Sequence, residues 1–228
     1  MAYRKKADFI LAHKPDILIV PECEHPDKLK FNNDTPIPTD VLWYGTNKNK
    51  GLAVFSYSTY KLRLLDIHDA NIKLILPIAV TSATFDFTLF AIWAYNSQDP
   101  NYNYIGQVWK AILHYESILR TENVILAGDF NSNVFWDKLK RKISHSMVVE
   151  KLKTLNIFSS YHSHLNLAHG VEEHPTYFMY RHLSRPYHID YCFASGDLIR
   201  KLENVQIGTH EQWTKYSDHN PLIVSFKV

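Results

Sequence analysis

An α/β (α+β) protein, in which two packed β-sheets carry helices on their outer faces, is the fold class this sequence predicts. Three observations predict it. Runs of consecutive aliphatics, Ile17-Leu18-Ile19-Val20 and Val124-Ile125-Leu126-Ala127, read as strands covered on both faces. Many further β-type runs lie between them. Only a few segments carry apolar residues at helical spacing, and these supply the outer cover. The chain has 228 residues and 46% hydrophobic content, enough for a sizeable core. No internal repeat, low-complexity tract or linker divides it, so residues 1–228 are read as one domain.

Each element has a local reason. Ala7, Ile10 and Leu11 share a helical face within Tyr3 to His13, and Lys14-Pro15-Asp16 ends that helix because proline disfavours helix in the residue before it. The strand at 17–20 stops at Pro21-Glu22, and 27–40 is a polar loop. Strands follow at 51–56, 62–65, 72–80 and 85–94. Thr81-Ser82-Ala83 joins the last two as antiparallel neighbours. Asp99-Pro100-Asn101 signals a helix start, and Ile105, Val108, Trp109, Ile112 and Leu119 form its buried stripe. A strand at 124–127 closes at Gly128-Asp129, a helix covers 145–155, and strands are expected at 176–179, 189–194 and 222–226.

Composition narrows the function. A formal net charge of +2 forces no large polycationic surface, so any nucleic-acid groove must be local. Cys23 and Cys192 make no disulfide framework and fit buried thiols in a reducing compartment. The N-terminus is polar, without the apolar stretch of a secretory signal. The most apolar region, 74–95, contains Pro77 and Asp86 and reads as two strands rather than a membrane span. A cytoplasmic location is expected.

Four strand ends meet acids: Pro21-Glu22, Gly128-Asp129-Phe130-Asn131, His188-Ile189-Asp190-Tyr191, and Ser217-Asp218-His219-Asn220-Pro221 ahead of Leu222-Ile223-Val224. A phosphodiester repels anionic nucleophiles. A hard cation on carboxylate oxygens neutralises it, a base activates water, and donors hold the phosphoryl group. Glu22, after four aliphatics, is the candidate metal ligand, with Glu24 as its competitor. Gly128 permits a tight turn. Asp129 and Asn131, two apart in an extended chain, would present an acid/base and an amide donor on one side. Such a pair also suits an Asx turn at a strand exit. His188 and Asp190 share a strand face. Asp190 can accept the imidazole N–H of His219 and set its tautomer, leaving Asp218 to face the metal.

This ordered set resembles the endonuclease/exonuclease/phosphatase superfamily, which includes exonuclease III-like and deoxyribonuclease I-like enzymes. The likeness spans nearly the whole chain, and Gly51-Leu-Ala-Val-Phe-Ser56 is similar to the family's glycine-led strand. The resemblance implies a four-layer sandwich, two mixed, largely antiparallel sheets face to face with helices outside. It implies Mg²⁺, with Mn²⁺ as substitute, held by Glu22 with Asp218 beside it, and catalysis by Asp129, Asn131, Asp190 and His219. It further implies a phosphate-contacting Tyr95, with Asn96 as its rival. One departure stands out. The family usually opens with a strand bearing Trp-Asn, whereas this sequence opens at the helix that would follow, and no Asn precedes Asn32.

The segment 175–188 is aromatic and basic. Tyr177, Tyr180 and Arg181 could stack on bases or grip phosphates, with His188 as a further substrate contact, or they could be ordinary cross-strand pairs. Lys138, Lys140, Arg141 and Lys142 offer a basic rim or a solvated face. The expected activity is Mg²⁺-dependent phosphodiester hydrolysis on nucleic acid, DNA foremost. The alternatives are a phosphoinositide, sphingolipid or nucleotide phosphoesterase, and a non-catalytic binding module of the same fold.

Overall fold

Among the described residues thirteen strands form, nine where the aliphatic and aromatic runs predict them and four where no such run stands out. A computed structural model describes residues 3–97, 99–138 and 142–228. The strands are β1 (Ile17–Cys23), β2 (Asp40–Asn47), β3 (Lys50–Ser56), β4 (Lys61–Leu64), β5 (Ile75–Thr81), β6 (Phe87–Trp93), β7 (Val124–Asp129), β8 (Ile157–Ser159), β9 (Tyr177–Phe178), β10 (Pro186–Tyr187), β11 (Asp190–Ser195), β12 (Leu202–Ile207) and β13 (Leu222–Phe226). The helices are α1 (Ala7–Leu11), α2 (Ile105–His114), α3 (Glu116–Leu119), α4 (His145–Thr154), α5 (Ser160–Leu165), α6 (Gly196–Ile199) and α7 (His210–Trp213). The sequence analysis missed β2, β8, β10 and β12, and the short helices α5 to α7. Strands β8 and β10 are too short for a period-2 pattern, and β2 and β12 lack a continuous apolar run.

The six-stranded sheet runs β4-β5-β6-β7-β11-β8, a three-stranded sheet runs β1-β3-β2, and β9-β10 and β12-β13 form separate ribbons. All pairings are antiparallel except β6 with β7. The six-stranded sheet is thus mixed and largely antiparallel, as expected, whereas the three-stranded sheet is wholly antiparallel. The division into four sheets is finer than the two predicted.

Alternation along the strands decides what each face covers. Leu52 and Val54 of β3 pack with Leu76, Ile78 and Val80 of β5 and Leu89 and Ala91 of β6. Phe90 and Ile92 of β6, Leu126 of β7 and Phe193 of β11 point the other way. They meet Val108 and Ile112 of α2 and Val148 and Leu152 of α4. Ala7 and Leu11 of α1 cover Val20, Ala53 and Phe55 on the far side of the small sheet.

Strand β1 departs from expectation. Ile17, Leu18 and Ile19 are only partly buried. The reason is that β1 is an edge strand, and a groove of ≈ 510 Å³ separates it from β13. The walls of the groove include Ile17, Ile19, Leu222 and Val224.

At the junction of β7 with the next loop, Gly128 has φ +136°, and a Cβ there would strike the Ile92 carbonyl oxygen of β6. Only glycine fits this site. Gly128→Ala is expected to lower the unfolding free energy by about 3 kcal/mol or more, read from urea denaturation.

Candidate active site

The polar end of the groove gathers the acids from separate elements. Glu22, Asp129, Asp190, Asp218 and His219 all line it. Register produces the central pair: on β11, Asp190 stands directly opposite Asp129 of β7. Thr176 Oγ1 accepts the backbone N–H groups of both Ile189 and Asp190, at 3.0 Å each, and pins the start of β11. Ser217 Oγ accepts the His219 N–H at 3.1 Å, turning the chain ahead of β13. His219 Nδ1 then lies 2.9 Å from Asp190 Oδ2, the predicted pairing. Ligand atoms of Asp129, Asp190 and His219 all fall within 4.8 Å of one another.

Electrostatics follow from this crowding. Burial and the adjacent Asp190 carboxylate hold Asp129 well above the usual carboxylate range. Burial opposes charge on His219, but the Asp190 carboxylate overcomes it and raises the imidazole to about 9. The Lys6 ammonium is set against the same acids. Burial lowers its pKa while Asp218, Asp190 and Glu22 pull it back up, and its Nζ lies 3.4 Å from Ser217 Oγ. Sequence reasoning missed Lys6. A lysine one residue before a short helix carries no signal until the helix is docked.

Asn131 differs from its expected orientation. Its φ is +47°, so the chain turns back instead of staying extended. Its N–H donates to Asp129 Oδ1 at 2.8 Å, and its Nδ2 donates to Asp129 Oδ2 at 2.8 Å and to the Ala94 carbonyl at 2.9 Å. Both amide hydrogens are thereby used within the protein. The Asx turn and the site are one structure: Asn131 aims Asp129 and has no N–H left for a phosphate.

Glu22 sits at a bulge in β1 with φ +59°, and its carboxylate pairs with Lys50 Nζ at 2.8 Å. The Trp43 indole lies over Gly51 and donates to the Cys23 carbonyl at 3.1 Å, fixing the bulge from behind. Glu24 is no competitor for the groove, since it accepts from the Tyr3 N–H and the Arg4 guanidinium.

Tyr177 packs on His219, ring centroids 4.7 Å apart. Tyr187 stacks on Trp136 at 5.0 Å and 27°, with exposed Phe135 beside them, an aromatic ledge that the sequence did not single out. Tyr95 follows Ala94, is half exposed and leans edge-on against Trp93, and Asn96 is exposed next to it. Arg181 has φ +62°, and its carbonyl accepts from His210 Nε2 at 3.1 Å.

One expected substrate contact is corrected. His188 is buried, its Nδ1 bonded to the His174 carbonyl at 2.8 Å and its ring against Tyr161 and Tyr191, so it does not line the groove. It precedes β11 rather than lying on it, which breaks the two-residue alternation with Asp190. In the basic rim, Lys142 Nζ lies over the Tyr102 ring. Lys140 and Arg141 fall outside the described residues, as does the Lys138 side chain.

Acids at strand ends, an Asp–His pair and a buried acid aimed by an amide define a phosphoester-hydrolase type of site. The match to the endonuclease/exonuclease/phosphatase family model covers residues 7–219, and the chain belongs to that family. No curated protein sequence matches it. Among solved structures, it is similar to a 3′-5′ exonuclease from Neisseria meningitidis, with TM-score 0.68, 20% identity, and coverage of 99% of this chain and 95% of that one. An AP endonuclease from Archaeoglobus fulgidus matches with TM-score 0.70 at 20% identity, over 97% and 93%. A Neisseria 3′ phosphatase solved with a product DNA hairpin matches with TM-score 0.65 at 19%, over 99% and 95%. At these identities the likeness establishes the fold. Among the described residues no helix is long and apolar enough to cross a membrane.

The raised His219 pKa sets a pH dependence. The stabilisation it represents is complete below its unfolded value of 6.5 and is lost as pH rises through about 9. In chelator, the stability difference between wild type and His219→Gln is therefore expected to be largest near pH 6 and to vanish by about pH 10. Urea titrations across that range read it.

Proposed function

We propose that this chain is a Mg²⁺-dependent phosphodiesterase that cleaves nucleic acid, DNA foremost, with Mn²⁺ able to substitute. The observation that carries the reading is the Asp129–Asp190–His219 constellation at the polar end of a groove edged by aromatic rings. The donor set suits the metal. Oxygens of Glu22, Asp129 and Asp218 are hard ligands gathered at one end of the groove. Glu22, with Asp218, would hold the ion, which when bound supplies charge neutralisation and polarisation of the phosphoryl oxygen. Glu22 must then leave Lys50.

The protein's own groups divide the remaining work. Asp129, aimed by Asn131 and raised toward neutrality, takes the proton of the attacking water. His219, kept cationic by Asp190, donates to an equatorial phosphoryl oxygen and stabilises charge as it develops. Tyr95 and Asn96, beyond the Ala94 carbonyl that Asn131 grips, are the candidates for holding the substrate phosphate. Tyr177 supports one face of His219, Tyr187 and Trp136 offer flat surfaces on which unpaired bases stack, and Arg181 is the candidate for gripping the backbone.

The same reading takes residues 1–228 as one domain with the full four-layer arrangement, which the three packing clusters support, and a cytoplasmic location. A second reading has one observation in its favour. The groove continues from the acids into an aliphatic interior lined by Ile17, Leu222 and Val224, which suits the acyl chains of a lipid phosphoester.

Purified protein is expected to cleave single- or double-stranded DNA with Mg²⁺, to stop on chelation, and to lose roughly 10³-fold or more in kcat in Asp129→Ala and His219→Ala. Asn131→Ala should cost less, roughly 10- to 100-fold, because it removes aim rather than the base. Full activity in His219→Ala would overturn the mechanism. Cleavage of phosphoinositide or sphingolipid in preference to DNA, in a panel at one Mg²⁺ concentration, would move the substrate to the second reading. Absence of Mg²⁺ binding at millimolar concentration by calorimetry would favour a non-catalytic binder.

A further inference from the structure

A second cluster of metal-ligating side chains lies apart from the acids, on α5 and the loop that follows it. His162 of α5 and His169 and Glu172 of the following loop bring one ligand atom each within 4.8 Å of the others. The His162 ring is held as a metal-binding histidine is held: Nδ1 lies 2.8 Å from Ser159 Oγ, and Nε2 faces Glu172 Oε1 at 3.1 Å. The second Glu172 oxygen accepts from Asn133 Nδ2 at 3.2 Å. The His169 ring lies 3.6 Å from that of His162 and 5.6 Å from that of His145.

The unusual feature is what these rings lack. His145 is fully buried, and among the described residues neither of its ring nitrogens has a hydrogen-bond partner; His169 Nδ1 has none among them either. A buried imidazole with both nitrogens unpaired is costly, and native cores rarely leave one so. One ion would take one nitrogen from each of these rings. Burial keeps His145 and His169 neutral at ordinary pH, lowering them to about 4 and about 3, so their lone pairs are free.

We propose that His162, His169 and Glu172, with His145 as fourth ligand, form a structural site for a divalent transition metal of the Zn²⁺ class. Three imidazoles and one carboxylate match the preference of Zn²⁺ for nitrogen and its tetrahedral closure, and they are poor ligands for Mg²⁺. Ligand atoms around such an ion sit about 3.4 Å apart, as tetrahedral geometry at Zn–N distances of about 2.1 Å requires. His162, His169 and Glu172 need a modest contraction and a turn of the His169 ring out of its stack, and the His145 ring, 5.6 Å from that of His169, must swing toward them. His169 and Glu172 sit on a loop flanking Gly170, whose φ of +94° is open to glycine, so the turn falls where backbone freedom exists.

The site would act as a brace. Asn133, which binds Glu172, also donates to the His188 carbonyl at 3.0 Å, and His188 lies two residues before Asp190. An ion here would tie the α5 loop and the start of α4 to the loop after Asp129 and to the entry of β11, without touching substrate.

The test uses the full chain stripped with a chelator, dialysed, and titrated with Zn²⁺ alone against a chromophoric competitor, with Co²⁺ in parallel. One equivalent of Zn²⁺ should bind, raise Tm, and give a tetrahedral Co²⁺ visible spectrum. His169→Ala and Glu172→Gln should each weaken Zn²⁺ binding by roughly 100-fold or more, while Asp129→Asn leaves it intact. Failure of the stripped wild type to bind micromolar Zn²⁺ would overturn the proposal. So would an equivalent that persists in the His169→Ala/Glu172→Gln double variant or disappears in Asp129→Asn, because the ion would then belong to the acid cluster. The wild-type titration decides even if a variant fails to fold, and its outcome is independent of whether the protein cleaves DNA.

Discussion

The cross-strand pairing of Asp129 with Asp190 is the constraint around which the site is built. Two carboxylates directly opposite one another on neighbouring strands repel, and more so when buried. The register cannot relieve this by slipping, since a one-residue shift would send the apolar residues of β11 to the wrong face. The charge is met locally instead. His219 pairs with Asp190, Asn131 donates twice to Asp129, and Lys6 lies against the group from α1's side. Gly128, Thr176 and Ser217 supply the backbone geometry that these contacts need.

The core makes that arrangement affordable. Strands β6 and β7 are packed on both faces, by the small sheet and by α2 and α4, and β11 lies beside β7 with Phe193 against the helices, so their ends are held firmly. By contrast, the edge strand β1 carries Glu22 at a bulge beside an open groove, paired with Lys50. The rigid half of the site thus holds the base and the Asp–His pair, and the less confined half holds the carboxylate that would take up a cation.

Two clusters of opposite coordination chemistry are linked through Asn133. The acids around Asp129 offer oxygen in a solvent-reached groove. The histidines around His162 offer nitrogen from partly buried and buried side chains. Hard and borderline cations would partition between them by donor type. Asn133 and His188, which join the two physically, explain why a histidine read from sequence as a substrate contact is instead part of the supporting interior.

Strand ends bearing acids after aliphatic runs were legible in the sequence, because burying four aliphatics in a row requires a covered strand and an acid after it must reach solvent or a cation. The mixed-sheet class, the helices over 105–119 and 145–155, and the pairing of Asp190 with His219 were readable on that basis. Three things needed the tertiary structure. The turn at Asn131 reversed the expected role of its amide, since backbone φ is set by packing against Ala94. Lys6, Trp136 and the His145–His162–His169 cluster lie far apart in sequence, and no local period joins them. The partial exposure of β1 follows from its being at a sheet edge, which depends on which strand lies beside it. Local sequence specifies which residues can be strand, helix or acid, but proximity between distant side chains is decided only when sheets and helices pack.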